Sequence, residues 1–191
     1  MIPVPNPITE PDTFDDRCRK RGNAWLLANP DADRPYAYWT EYNHILAEAF
    51  SGRCGFSGQW ISSGTIDHFQ SWHADKSQAY EWGNFRYVEG WLNSSKSKKP
   101  ANTIMDPFFV QSGWFEIILP SLQLVVSDTI PAQHRALAES TLKQLPIGHD
   151  ERILRPRRQW LKLYEDGDLS LAGLEKVAPL IAAAVRKRDG L

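Results

Sequence analysis

The run from Thr65 to Lys99, TIDHFQSWHADKSQAYEWGNFRYVEGWLNSSKSKK, constrains the fold of this chain more than any other stretch. Gly64-Thr-Ile-Asp-His-Phe reads as a strand, and Asn84 to Val88 as a second strand with Phe85 and Tyr87 on one face. Trp91 to Lys99 reads as a short helix that Pro100 ends. The order is therefore strand, long loop, strand, helix. Asp67 and His68 fall at the end of the first strand, Asn84 opens the second, and Asn93 lies on the helix. Asn84 follows His68 by sixteen residues, and Asn93 follows Asn84 by nine.

Around this unit the sequence predicts helices. Residues 1–12 hold four prolines and read as an extended arm. Phe14 to Ala28 reads as a helix stopped at Asn29-Pro30, and Tyr38 to Phe50 as another with Gly52 as its cap. From Arg53 to Asp67 short strands broken by glycine are expected. Trp114 to Leu119 and Leu122 to Val126 read either as two strands or as buried extended segments. Pro131 suits the start of a helix running to Leu145, and Trp160, Leu161 and Tyr164 mark another ending at Gly167. Ser170 is a good N-cap for a final stretch that Pro179 splits. The expectation is one α+β domain over 1–191: arm and helices to residue 52, the strand–strand–helix unit over 53–100, and a mostly helical extension over 101–191.

The formal net charge is −1, which counts against a stand-alone nucleic-acid binder of high affinity, because neutralising phosphates dominates such binding. Charge is clustered locally, at Lys96, Lys98 and Lys99 and at Arg152, Arg155, Arg157 and Arg158; the bland reading of each cluster is a solvated helix face. Two cysteines, Cys18 and Cys54, make no disulfide framework, and the expected setting is cytoplasmic. No apolar run reaches membrane-spanning length, so no membrane partner is expected.

The chemistry of the 65–99 unit follows from its residue types. Asp67 offers a carboxylate oxygen and Asn93 an amide oxygen, hard donors suited to magnesium or manganese. His68 points to the other face of the strand, where a neutral imidazole can activate water. Asn84 can hydrogen-bond His68 or nearby backbone and so orient the ring. The bland reading of an Asp-His pair alone is a surface loop or a helix cap. His73 is read as a loop histidine, and the tryptophans as core, with Trp72 the one that can stack on a base.

At these residues the chain resembles the HNH endonuclease family, whose ββα-metal motif has this order and spacing. It is similar to the variant with asparagine in place of the last histidine, as in the HNH domain of RNA-guided CRISPR nucleases. Ala79-Tyr-Glu-Trp-Gly-Asn-Phe and Asn93-Ser-Ser-Lys also resemble small HNH proteins of bacterial defence systems. The resemblance covers Cys54 to Lys98 and implies a ββα-metal core embedded in flanking helices. It implies His68 as general base, Asn84 as the orienting asparagine, and Asp67 and Asn93 as ligands of one divalent ion. Lys96 falls where the family often has a lysine near the scissile strand, with Lys98 and Lys99 as further nucleic-acid contacts. Many members bracket the motif with two CxxC pairs on structural zinc. Here the first reads Cys54-Gly-Phe-Ser57 and the second falls at Glu89 and Leu92, so no structural zinc is expected; Phe56, Trp60, Trp91 and Leu92 are expected to pack in its place. The implied activity is one-metal hydrolysis of DNA, or alternatively RNA, with a partner such as an ATPase by analogy. The alternative is an HNH-like module that binds nucleic acid or a partner without cutting. A third reading is a structural protein whose polar cluster only caps the hairpin.

Overall fold

The acidic first turn at Asp15 and Asp16, and the basic residues Arg17, Arg19 and Lys20 that follow, match the direction of a helix dipole. In the computed structural model, which describes residues 1–191, Asp15–Lys20 form a π-helical stretch continuing into α1 (Arg21–Ala28). Arg19 fastens this segment to Asp15, to Glu10 of the arm and to Glu81 beyond the first strand. Asn29 closes α1 by donating from its side chain to the Trp25 carbonyl, at 2.9 Å. Tyr38–Tyr42 make a 3-10 turn leading into α2 (Asn43–Ala49). The chain leaves α2 through Ser51 and Gly52, both at positive φ, and the Gly52 N–H reaches back to Ala47 O.

Between Arg53 and Asp67 only the last of the expected strands forms. Cys54 to Gln59 is instead a tight knuckle, closed by Gly58 N–H on Cys54 O and Cys54 N–H on Gln59 O, with one bridge between Arg53 and Trp60. Gly58, at φ 71°, takes the left-handed backbone that this turn requires. The knuckle is pinned to the next strand by Gly55 N–H on Tyr87 O and by Glu89 N–H on the Cys54 sulfur. Phe56 and Leu92 are fully buried around it, whereas Trp60 remains 45% exposed, so Trp60 is not core there.

β1 (Thr65–His68) pairs antiparallel with β2 (Phe85–Val88), with Asp67 opposite Arg86 and His68 opposite Phe85. All four β2 residues are buried; α2 packs on the strand, and Arg86 reaches Asp106 and the ring of Phe108. α3 (Gly90–Lys96) follows at once and packs on β1. It ends at Ser97, at φ 48°, before the expected stop at Pro100. The hairpin's core side is a cluster of edge-on aromatics, in which Phe85 meets Phe14, Trp39 and Trp82.

The two segments left open by periodicity are strands: β3 (Phe115–Ile118) pairs antiparallel with β4 (Gln123–Val126) as a second, separate sheet. Four helices follow: α4 (Ala132–Gln144), α5 (Glu151–Glu165), α6 (Leu171–Val177) and α7 (Pro179–Asp189). Ser170 caps α6 by accepting the Gly173 N–H, and Pro179 separates α6 from α7. α5 carries Pro156 in its interior, and its neighbour Arg157 is buried rather than solvated, donating to the carbonyls of Leu122 and Ile147. One hydrophobic cluster runs from Met1 to Val185 and draws on all three segments. The fold is α+β; no helix is long and apolar enough to cross a membrane.

Candidate functional site

A cleft of about 460 Å³ opens where the end of β1, the loop after it and α3 meet. Asp67, His68 and Asn93 all line it, so two adjacent residues at the end of β1 and one from α3, twenty-five positions on, share one cavity. Alternation along β1 sends Asp67 and His68 to opposite sides. His68 goes towards the N-terminal helices, edge-on to Trp39 at 4.6 Å and to Phe85 at 5.1 Å. Asp67 goes towards α3 and is almost wholly buried.

The imidazole of His68 is held by one hydrogen bond, Nε2 to the Ala79 carbonyl at 2.8 Å. A carbonyl oxygen only accepts, so Nε2 carries the hydrogen and Nδ1 keeps the free lone pair. Burial lowers the His68 pKa to about 4; the Ala79 carbonyl opposes that shift, while the charges of Lys96 and Arg34 add to it. The ring is therefore neutral across the physiological range.

Asn84 makes no hydrogen bond to the His68 ring. It accepts from the Gln70 N–H at 2.7 Å and donates to the carbonyls of Gln70 and Gln78, both at 2.9 Å. These three bonds close the loop between the strands and set the carbonyl of Ala79, the residue after Gln78. Tyr80 continues the clamp by donating to Tyr36 O at 2.8 Å. Of the two partners expected for Asn84, His68 or nearby backbone, the backbone is the one it bonds.

Asn93 donates from Nδ2 to Ile66 O at 3.2 Å, tying α3 to β1 and leaving its Oδ1 with no hydrogen bond inside the chain. The three lysines separate. Lys98 is exposed and lines the cleft. Lys99 turns back to the Ser95 carbonyl and does not line it. Lys96 is a correction to its expected place beside a bound strand: it is 1% exposed. Its ammonium donates to Asp67 Oδ1 at 3.0 Å and to His68 O at 2.7 Å. The reason is helical phase. Lys96 lies four residues after Leu92, so both occupy the inward face of α3, while Asn93 is turned towards the cleft.

Burial pushes the Asp67 carboxyl up, and the Lys96 ammonium beside it pulls it back down. Asp67 Oδ2 is buried without any hydrogen-bond partner. A buried carboxylate oxygen left open is costly unless something cationic or protic meets it. The residues present accordingly fit a hard divalent ion: Asp67 and Asn93 offer oxygen donors, and magnesium-like ions keep several waters of their own. No group of three His, Cys, Asp or Glu side chains gathers to form a closed protein cage.

Residues without a motif complete the walls. Arg34 and Asp33 come from the loop after α1, and Trp39 from the turn before α2. His73 stacks on Trp72 with ring centroids 3.6 Å apart, and both line the cleft. Nothing in the local sequence around Arg34 marks it, since its place depends on how the N-terminal helices pack. Comparison with family models, with curated proteins and with solved structures returned no match to this chain.

Proposed function

We propose that this protein is a metal-dependent nuclease of the HNH type, hydrolysing phosphodiester bonds in DNA with His68 as general base. The observation that carries the reading is the shared cleft of Asp67, His68 and Asn93 on a strand–strand–helix unit, with His68 held in the tautomer a base requires. Nδ1 of His68 takes a proton from water as the water oxygen bonds to phosphorus. The opposite phosphorus–oxygen ester bond breaks, its leaving oxygen takes a proton from solvent to become a hydroxyl, and a phosphate monoester remains while His68 returns its proton to solvent. Asp67 and Asn93 would hold the divalent ion, whose chemistry when bound is to stabilise charge on the phosphoryl and leaving oxygens. Asn84 keeps the loop closed so that Ala79 O fixes the imidazole. Arg34 and Lys98 offer positive charge at the walls, and the Trp72–His73 stack offers an aromatic surface to a base. With a whole-chain charge of −1, affinity for DNA is expected to draw on a partner protein as well.

One observation favours the second reading, an HNH-like module that binds without cutting: the Lys96 ammonium already sits on the Asp67 carboxylate. The two readings separate in a nicking assay on supercoiled plasmid with magnesium, manganese or EDTA. The nuclease reading expects metal-dependent nicking that falls by at least about a hundredfold in a folded His68→Ala variant, the usual scale of a lost general base. Well-folded wild-type protein that nicks with neither metal would turn the assignment to the binding module.

A further inference from the structure

We infer that Lys96 is the resident counter-cation of the Asp67 carboxylate, and that a divalent ion taken up at Asp67 has to displace its ammonium. The inference rests on the reading of Asp67 as a metal ligand and adds what sets that ligand's affinity. Three observations carry it. The Lys96 side chain is 1% exposed and the Asp67 side chain 3%, so the pair is out of water, where an unpaired charge of either sign is costly. The ammonium reaches only one carboxylate oxygen, Oδ1 at 3.0 Å, while Oδ2 stays buried and open. Its other partner is the backbone oxygen of His68 at 2.7 Å, so the cation bridges the two adjacent residues of the site. A lysine whose only task was to pin α3 to β1 would not require the carboxylate to remain half satisfied. An ammonium and a divalent cation repel strongly at the separation one carboxylate imposes. Held in place, Lys96 keeps the apo site neutral and makes occupancy depend on metal concentration.

The test is Mn²⁺ titration by calorimetry of the wild-type chain, Lys96→Met and Lys96→Arg, with melting temperatures read with and without Mn²⁺. Lys96→Met is expected to bind Mn²⁺ at least about tenfold more tightly than wild type. Without metal it is expected to melt lower than wild type, because Asp67 is left unpaired, and Mn²⁺ is expected to raise its melting temperature more than that of wild type. Lys96→Arg, which keeps the charge, is expected to bind no more tightly than wild type. Equal or weaker Mn²⁺ binding by Lys96→Met overturns the inference while leaving Asp67 a ligand. Binding by neither protein overturns the inference and the metal-site reading together. If Lys96→Met does not fold, the Asp67→Asn/Lys96→Met double variant decides. Recovery of folding supports the charge pairing, and failure to recover overturns it.

Discussion

His68 owes its state to two groups that the primary structure places far from it: Ala79, eleven residues on, and Trp39, nearly thirty residues back. The carbonyl of Ala79 fixes which nitrogen is protonated, and the indole of Trp39 helps to dry the ring. Drying has a measurable sign. The folded-state pKa of about 4 lies below the value of 6.5 for a solvated imidazole, so the unfolded chain takes up the proton first as pH falls. The stability tied to neutral His68 is therefore present above about pH 6.5 and drains away between there and about pH 4. Urea midpoints measured from pH 8 to pH 4 should fall more steeply for wild type than for His68→Gln within that window. Any nuclease activity should show the matching displacement: the acid limb of the rate profile of the free enzyme lies below the ordinary histidine value. A phosphodiester entering the cleft brings negative charge and raises the imidazole pKa, moving the base towards working pH once substrate is bound.

At the scale of elements, the unit that carries the site is a short hairpin braced from both sides. Two four-residue strands are marginal alone, so β1 and β2 depend on α3 and on the aromatic cluster beneath them. One brace is close enough to test at a distance from the chemistry. Gly22 in α1 lies against the ring of Tyr80, and a Cβ there would stand 2.4 Å from the ring carbons. Tyr80 is fully buried and follows Ala79, whose carbonyl holds His68. Gly22→Ala is expected to cost about 1–3 kcal/mol by overpacking. Because the ring must shift, the Ala79–His68 hydrogen bond should loosen, and the His68 pKa read by NMR should fall still further below 6.5, since that bond favours the protonated ring. Destabilisation with an unmoved His68 resonance would show that α1 supports the fold but not the site.

On the scale of the whole molecule, charge is close to balanced, and most arginines are committed to partners: Arg19 to Glu10 and Asp15, Arg86 to Asp106, Arg186 to Glu175, Arg188 to Glu165. Arg34 and Lys98 are the cations on the cleft walls. Binding to duplex DNA should therefore carry a shallow salt dependence, with log K falling against log salt at a slope of about −2, which fluorescence anisotropy with labelled oligonucleotides would read. A slope several times steeper would mean that DNA lies on a broader basic surface elsewhere. Much of this architecture was legible from local signals. The helix stop at Asn29, the caps at Gly52 and Ser170, the break at Pro179 and the strand–strand–helix order of 65–96 all follow from residues acting on their own backbone or that of near neighbours. Between Arg53 and Gly64 the same signals were misleading: glycines and β-formers read as strands, but with no neighbouring strand to pair with, that backbone closed on itself as a knuckle. The sequence by itself thus determined the strand–strand–helix order and the places of Asp67, His68 and Asn93 on it, because alternation and spacing are local properties of the chain. Only the tertiary structure decided that Lys96 is buried on Asp67 rather than facing solvent, that Asn84 bonds Gln70 and Gln78 rather than His68, and that Arg34 joins the cleft. Each of those depends on which face of one element meets another, and packing sets that across distances that residue spacing does not encode.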